Sequence, residues 1–358
     1  MNCIYSRKPL ALLITFALCY CSCKKSDAVL SSSADILAYS IPGSNPSINI
    51  DPTNKTINIQ FPDSFTNAGN ISAAFTLSAG AQASIDNTMQ QSAVTQNSFF
   101  NDLYYTVTAA DHTTKKNWAV IATNNNYSHE WGLGNFVLNQ ADNNRNYEWY
   151  LDQANTGNFS SVNCGPTSVT MAMKWSDPSF SKTPQDARNL FESSGGWWYT
   201  NDIDNYLTIN QTPHAIIPLS DNAQQTQKIL ARQLDAGRIL ILCVDMSYIR
   251  YQPSNIMHVD KFYNATATGW GHFFVVKGYQ QMKDEFFFDI YDPYDFGLTN
   301  SDGSIKGKDR FYRYDDIFTA TYSWWDYAFV IAKSGETLDI GTLQKAVDPT
   351  KIKHVHGL

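Results

Sequence analysis

A cysteine stands where a helix must begin: Asn163-Cys164-Gly165-Pro166-Thr167-Ser168 runs directly into Val169-Thr170-Met171-Ala172-Met173-Lys174-Trp175. Pro166 suits a first helical turn, because its missing N–H would have had no partner there. Val169, Ala172, Met173 and Trp175 then recur close to helical spacing, which buries one face of the helix. The unsatisfied N–H groups and the dipole at that end stabilise a thiolate, the form that attacks carbonyl carbon. The alternative is a small buried cysteine capping a core helix, and it is weighed with what lies downstream.

Downstream, Gly271-His272-Phe273-Phe274-Val275-Val276-Lys277-Gly278-Tyr279 and Phe286-Phe287-Phe288-Asp289-Ile290-Tyr291-Asp292-Pro293 flank the polar stretch Gln280 to Glu285. Two apolar runs around a short polar connection read as a β-hairpin. With its centre near Met282, regular pairing brings His272 and Asp292 face to face at the open end. Asp289 then points to the opposite face, and Pro293 ends the strand. A carboxylate beside a histidine fixes its tautomer and stabilises imidazolium, and imidazolium beside cysteine lowers the thiol pKa. Cys164, His272 and Asp292 thus have the order that nucleophilic acyl transfer needs. Gln153 precedes the cysteine by one short loop. Its amide could donate to an oxyanion beside the Cys164 N–H, or simply be solvated.

These residues resemble a known family. Gln153, Asn163-Cys164-Gly165-Pro166-Thr167-Ser168, Gly271-His272-Phe273 and Asp292-Pro293 are similar to the bacteriocin-processing, double-glycine-leader peptidases and their stand-alone relatives. Those are cysteine peptidases of the papain-like clan, family thirty-nine. The resemblance covers roughly residues 147–333. It implies Cys164 as nucleophile, His272 as base, Asp292 as orienting acid and Gln153 as oxyanion donor. The gap from Gln153 to Cys164 is longer than in the leader-cleaving members, and no transporter segment follows, so coupling to peptide export is not expected.

The rest of the chain frames that domain. Its 358 residues suit two domains. Residues 1–23 read as an export signal, with Arg7 and Lys8 before an apolar core, Leu10 to Leu18, too short to span a bilayer. Ser22-Cys23 resembles the end of a bacterial lipoprotein signal, with Cys23 as the lipidated residue and the bacterial envelope as the location. An ordinary secretory signal with a released product is the alternative. Beyond the crowded Cys3, Cys19, Cys21 and Cys23, only Cys164 and Cys243 remain, so no disulfide framework is read. Cys243, inside Arg238 to Val244, reads as an inert core residue on a buried strand.

A Ser-rich spacer (24–33) leads to residues 34–124, where short strands alternate with turn residues. They read as a β-sandwich resembling the immunoglobulin-like modules of bacterial surface lipoproteins, a spacer or adhesion module. Asn-rich residues 125–146 read as a connector. Residues 147–336 read as helices followed by an antiparallel sheet, and 337–358 as a tail. The expected fold is therefore multidomain: an all-β immunoglobulin-like sandwich, then an α+β papain-like cysteine peptidase domain.

The formal charge of −7, with no basic stripe, argues against nucleic acid as a partner. A peptide or protein substrate and a membrane reached through the lipid anchor are expected instead. No cofactor is called for, and no metal-ligand spacing is found; Asn300 to Ser304 reads as a surface turn. His214 and His258 read as exposed loop residues. Trp197-Trp198-Tyr199 and Trp324-Trp325 could line a cleft, with core packing for at least half of these rings. Two other readings use the same residues: a cell-wall amidase or transpeptidase with the same thiol chemistry, or a catalytically silent surface binding protein.

Overall fold

The computed structural model describes residues 29–338. The signal-like stretch with Cys23 and nearly all of the C-terminal tail lie outside the described residues. The N-terminal strands are β1 (Ile36–Ser40), β2 (Ser47–Asp51), β3 (Thr56–Gln60), β4 (Ile71–Ser72), β5 (Ala74–Leu77), β6 (Gln82–Ile85), β7 (Thr88–Met89), β8 (Gln96–Asn97), β9 (Leu103–Thr108) and β10 (Lys115–Thr123). Six of them form one sheet in the order β2-β3-β10-β9-β6-β7, with β3 and β10 parallel. The pairs β1-β5 and β4-β8 stand outside that sheet. Alternation places Ile57, Ile59, Tyr105, Val107, Trp118 and Val120 in one core. This domain is β-rich, as its short strand-like runs between turn residues predict. Its shortest strands, two residues each, are too brief for alternation to reveal.

The Asn-rich connector is a correction. Residues 125–146 hold helix α1 (Asn126–Glu130) and strand β11 (Asn139–Asp142), which pairs with the hairpin strand of the second domain. Asn143 Nδ2 donates to the carbonyls of Leu234 and Arg238, and Arg145 donates to the Trp175 carbonyl while its guanidinium covers the Trp175 ring. Phe136 meanwhile packs into the N-terminal core. Asparagine here satisfies buried carbonyls instead of turning a loop.

Helices α2 (Cys164–Ser176), α3 (Pro184–Leu190), α4 (Thr200–Ile209), α5 (Ala223–Asp235) and α6 (Tyr314–Tyr322) surround the second sheet. That sheet runs β12 (His214–Pro218), β17 (Tyr327–Ile331), β13 (Ile239–Asp245), β14 (Gly271–Gln281), β15 (Phe286–Tyr291), β16 (Arg310–Arg313), every pair antiparallel. One sheet face carries Ile241, Phe273, Val275 and Phe329 and meets α2 and α4. The other carries Leu240, Phe274, Val276 and Ile290 and meets α5 and α6. Val169 and Met171 of α2 are wholly buried, each worth about 1.5–3 kcal/mol of transfer free energy. Thr183 and Asp186 form a reciprocal capping box at the start of α3, and Asn222 caps α5.

The hairpin register differs from the expected one. Met282 N–H bonds to the Glu285 carbonyl, so the turn is Lys283-Asp284 and the centre lies beyond Met282. Pairing starts as Gln281↔Phe286 and reaches Gly278↔Asp289, then shifts at a bulge to Val276↔Ile290 and Val275↔Tyr291. Lys277 is the extra residue. Continued unshifted, with Lys277 paired to Ile290, that first register would set Asp292 opposite Val275, on the face away from His272. The bulge turns Asp292 to the His272 face, diagonal to it rather than directly opposite.

Candidate active site

Cys164 is the first residue of α2 and is 6% exposed. The side chain of Asn163 caps none of the first-turn N–H groups. It is held elsewhere: Nδ2 donates to Thr156 Oγ1, and Oδ1 accepts from Arg188 Nε at 2.8 Å. The helix end therefore stays open on the cysteine side. The His272 ring and the N–H groups of Phe273 and Gly165 act on the sulfur as donors that favour its thiolate. Burial pushes the thiol pKa up, but these donors and the His272 charge outweigh it, and the net shift is downward.

His272 is the second residue of β14, and its Nε2 lies 2.7 Å from Asp292 Oδ1. Both side chains are buried. With Nε2 on the carboxylate, Nδ1 is the nitrogen left for Cys164. Burial pulls the imidazole pKa down, yet the Asp292 charge and bond and the Cys164 contact raise it to about 10. Asp292 is itself anchored: Oδ2 accepts from Tyr263 (2.9 Å) and Tyr312 (2.6 Å), and Oδ1 also accepts the Tyr294 N–H (2.9 Å). Burial would raise its pKa, but the imidazolium and these donors lower it. Asp289 sits on the opposite face, bonded to the buried Lys277.

Gln153 is buried in a short 3-10 turn, Gln153–Asn155. Its backbone N–H donates to the Pro293 carbonyl at 2.8 Å, which ties it to the Asp292-Pro293 segment. Its Nε2 donates to the Ser160 carbonyl at 2.9 Å, while Oε1 has no partner among the described residues. One amide hydrogen is thus engaged and the other remains available.

Arg188, on α3, was not singled out by sequence and is fully enclosed. It donates to Asn163 Oδ1 and to the carbonyls of Val162, Glu192 and Gly196, and none of these acceptors is a carboxylate. It clamps the residues just before Cys164, and the thiolate charge favours its protonated form against the cost of burial. Tyr263 and Tyr312 were missed as well. A single tyrosine or arginine carries no periodic signal, and only the fold shows what it faces.

His258 is a further correction: it is 2% exposed and stacks on Trp131 with ring centroids 4.3 Å apart. His214 lies on β12, half-buried, with Nε2 3.1 Å from Asp204. Trp198, Trp324 and Trp325 are buried, whereas Trp197 and Tyr199 are exposed. Together with Phe273, Gly269, Gly271, Cys164 and Cys243 they line a pocket of about 110 Å³. Cys243 is buried, and burial and the nearby Cys164 charge push its pKa well above the usual value. Among the described residues no His, Cys, Asp and Glu group converges to hold a metal, and no helix is long and apolar enough to cross a membrane.

Comparison with known proteins bears on both halves. Residues 36–121 match the family described as SGBP, N-terminal, and residues 137–316 match the Peptidase_C39 like family. No curated protein is recognisably similar. A solved structure from Bacillus anthracis, described as a C39-like peptidase candidate, is 11% identical, covering 55% of this chain and all of its own, with a TM-score of 0.32. A candidate glycoside hydrolase from Bacteroides thetaiotaomicron is 15% identical over 85% of this chain and 90% of its own, with a TM-score of 0.23. A candidate secreted protein from Bacteroides fragilis is 16% identical over 25% of this chain and 94% of its own, with a TM-score of 0.20. The match over residues 137–316 spans half of the sequence, and the chain belongs to the Peptidase_C39 like family.

Proposed function

We propose that the protein is a cysteine peptidase of the bacterial envelope. The observation that carries this reading is the buried line Cys164–His272–Asp292, in which each charge is matched by the next. The Cys164 thiolate attacks the peptide carbonyl, and His272 passes its proton to the departing amine. Water, activated by the same imidazole, then releases the acyl group from sulfur. Asp292 orients the ring and stabilises its positive form. The export-type start with Ser22-Cys23 supports a lipid anchor, and the β-rich domain between anchor and peptidase serves as an immunoglobulin-like spacer or adhesion module.

Two cysteines in one pocket make the test internal. Iodoacetamide should label Cys164 far faster than Cys243 at neutral pH, because only at Cys164 do the contacts that favour thiolate outweigh burial. Equal labelling of the native protein would remove the nucleophile assignment. Peptide cleavage should fall on the acid side as the thiolate gains a proton. It should fall again as pH rises through about 10, where His272 loses the proton it delivers. A single rising limb past pH 11 would exclude His272 as the acid.

Gln153 is proposed to donate its free amide hydrogen to the oxyanion beside the Cys164 N–H. Gln153→Ala should then lower turnover about a hundred- to a thousandfold while leaving alkylation of Cys164 near its normal rate. Loss of both would mean that Gln153 only shapes the loop through Ser160 and Pro293. Unchanged turnover would assign the oxyanion to another donor.

A further inference from the structure

The pocket beside Cys164 has no role in the bond-breaking steps. Six aromatic side chains line it, and no Asp, Glu, Lys or Arg does. At about 110 Å³ it is well below the roughly 300–1,000 Å³ of a typical small-molecule site. It has room for about three or four waters, or one side chain. Its walls lie against the reacting residues. A Cβ on Gly165 would approach Trp198 Cβ to 2.8 Å, and one on Gly271 would approach the Trp324 ring to 2.8 Å. The two glycines flanking Cys164 and His272 therefore let these rings rest on the backbone that carries the chemistry. Trp198, Trp324 and Trp325 are at most 5% exposed, while Trp197 and Tyr199 stand at the rim, 53% and 39% exposed.

We propose that this pocket is a specificity subsite for one uncharged aromatic or branched apolar side chain next to the scissile bond. The inference rests on the peptidase reading. A charged side chain entering the pocket would lose its water and meet no counter-charge. A glycine would leave the rings unfilled, whereas an aromatic ring gains both burial and ring–ring contact.

The test separates the pocket from the peptidase reading. Alkylation rates of Cys164 are compared for iodoacetamide, iodoacetate and N-benzyl iodoacetamide on the whole protein. In parallel, a peptide mixture is digested and the products are weighed. The benzyl reagent should react at least about tenfold faster than iodoacetamide and saturate with concentration, and iodoacetate should be slowest. The benzyl-to-plain ratio should drop severalfold in Trp197→Ala and, separately, in Tyr199→Ala, both rim positions. Cleaved bonds should share Phe, Tyr or Leu at one fixed position. Equal rates for the three reagents, or a ratio that neither variant moves, would overturn the subsite. So would cleavage with no preference at any position. Benzyl preference without cleavage of any peptide would overturn the peptidase reading, and the peptide subsite with it.

Discussion

Cys164→Ala is expected to abolish peptide cleavage, with turnover falling by up to about 10⁶-fold, the scale of losing a nucleophile. Only the sulfur is removed, from a site packed against Phe273 and Trp198, so the fold should persist. Far-ultraviolet circular dichroism and the melting temperature check that point. His272 keeps Asp292 in the variant but loses the thiolate that also favours its protonated form. Its pKa should therefore drop from the wild-type value, as read by the imidazole NMR titration. Cleavage that survives in clean Cys164→Ala protein would place the nucleophile elsewhere.

Asp292→Asn should lower turnover by about 10⁴-fold, because an amide cannot hold the imidazolium or its tautomer. It should also destabilise the protein by about 3–5 kcal/mol where His272 is charged, since the buried cation then loses its carboxylate and keeps only the thiolate. The pH dependence has a definite sign. Asp292 has its pKa lowered by folding, so its contribution is present above about pH 4 and lost as pH falls. His272 has its pKa raised, so its contribution is complete below about pH 6.5 and lost as pH rises toward 10. The melting-temperature gap between wild type and Asp292→Asn should be widest from about pH 4 to 6.5 and narrow toward pH 10. A gap that widens with pH would show that Asp292 does not stabilise a charged His272.

Local signals were readable where one residue type has one physical use. Pro166 and the spacing from Val169 to Trp175 disclosed α2, and Thr183, Asn222 and Gly237 marked helix ends. The apolar runs of the hairpin disclosed two strands but not their register, since a bulge leaves no mark in composition. Helix α4 carries Ile203, Tyr206 and Leu207 at helical spacing and Asp202 at its start, beside an aromatic cluster that invites a loop reading. Helix α6 is rich in Thr and Tyr, weak helix formers that burial of Ile317 and Ala320 overrides. Asn143 and Arg145 look like loop residues because their acceptors, the carbonyls of Leu234, Arg238 and Trp175, are remote in sequence. The same holds for Arg188 and the two tyrosines on Asp292.

The extra residue at Lys277 makes the hairpin tolerant in one place and brittle in another. Lengthening the Lys283-Asp284 turn by any number of residues leaves the pairs Val276↔Ile290 and Val275↔Tyr291 free to form as they are. Absorbing Lys277 into the ladder opposite Ile290, with no change in length, gives a more regular sheet yet turns the carboxylate to the wrong side of it. Relatives of this chain should therefore vary in length at the turn, and those without the bulge should be one residue shorter between the histidine and Gly278. In a redesign, smoothing this strand would trade the reaction for stability.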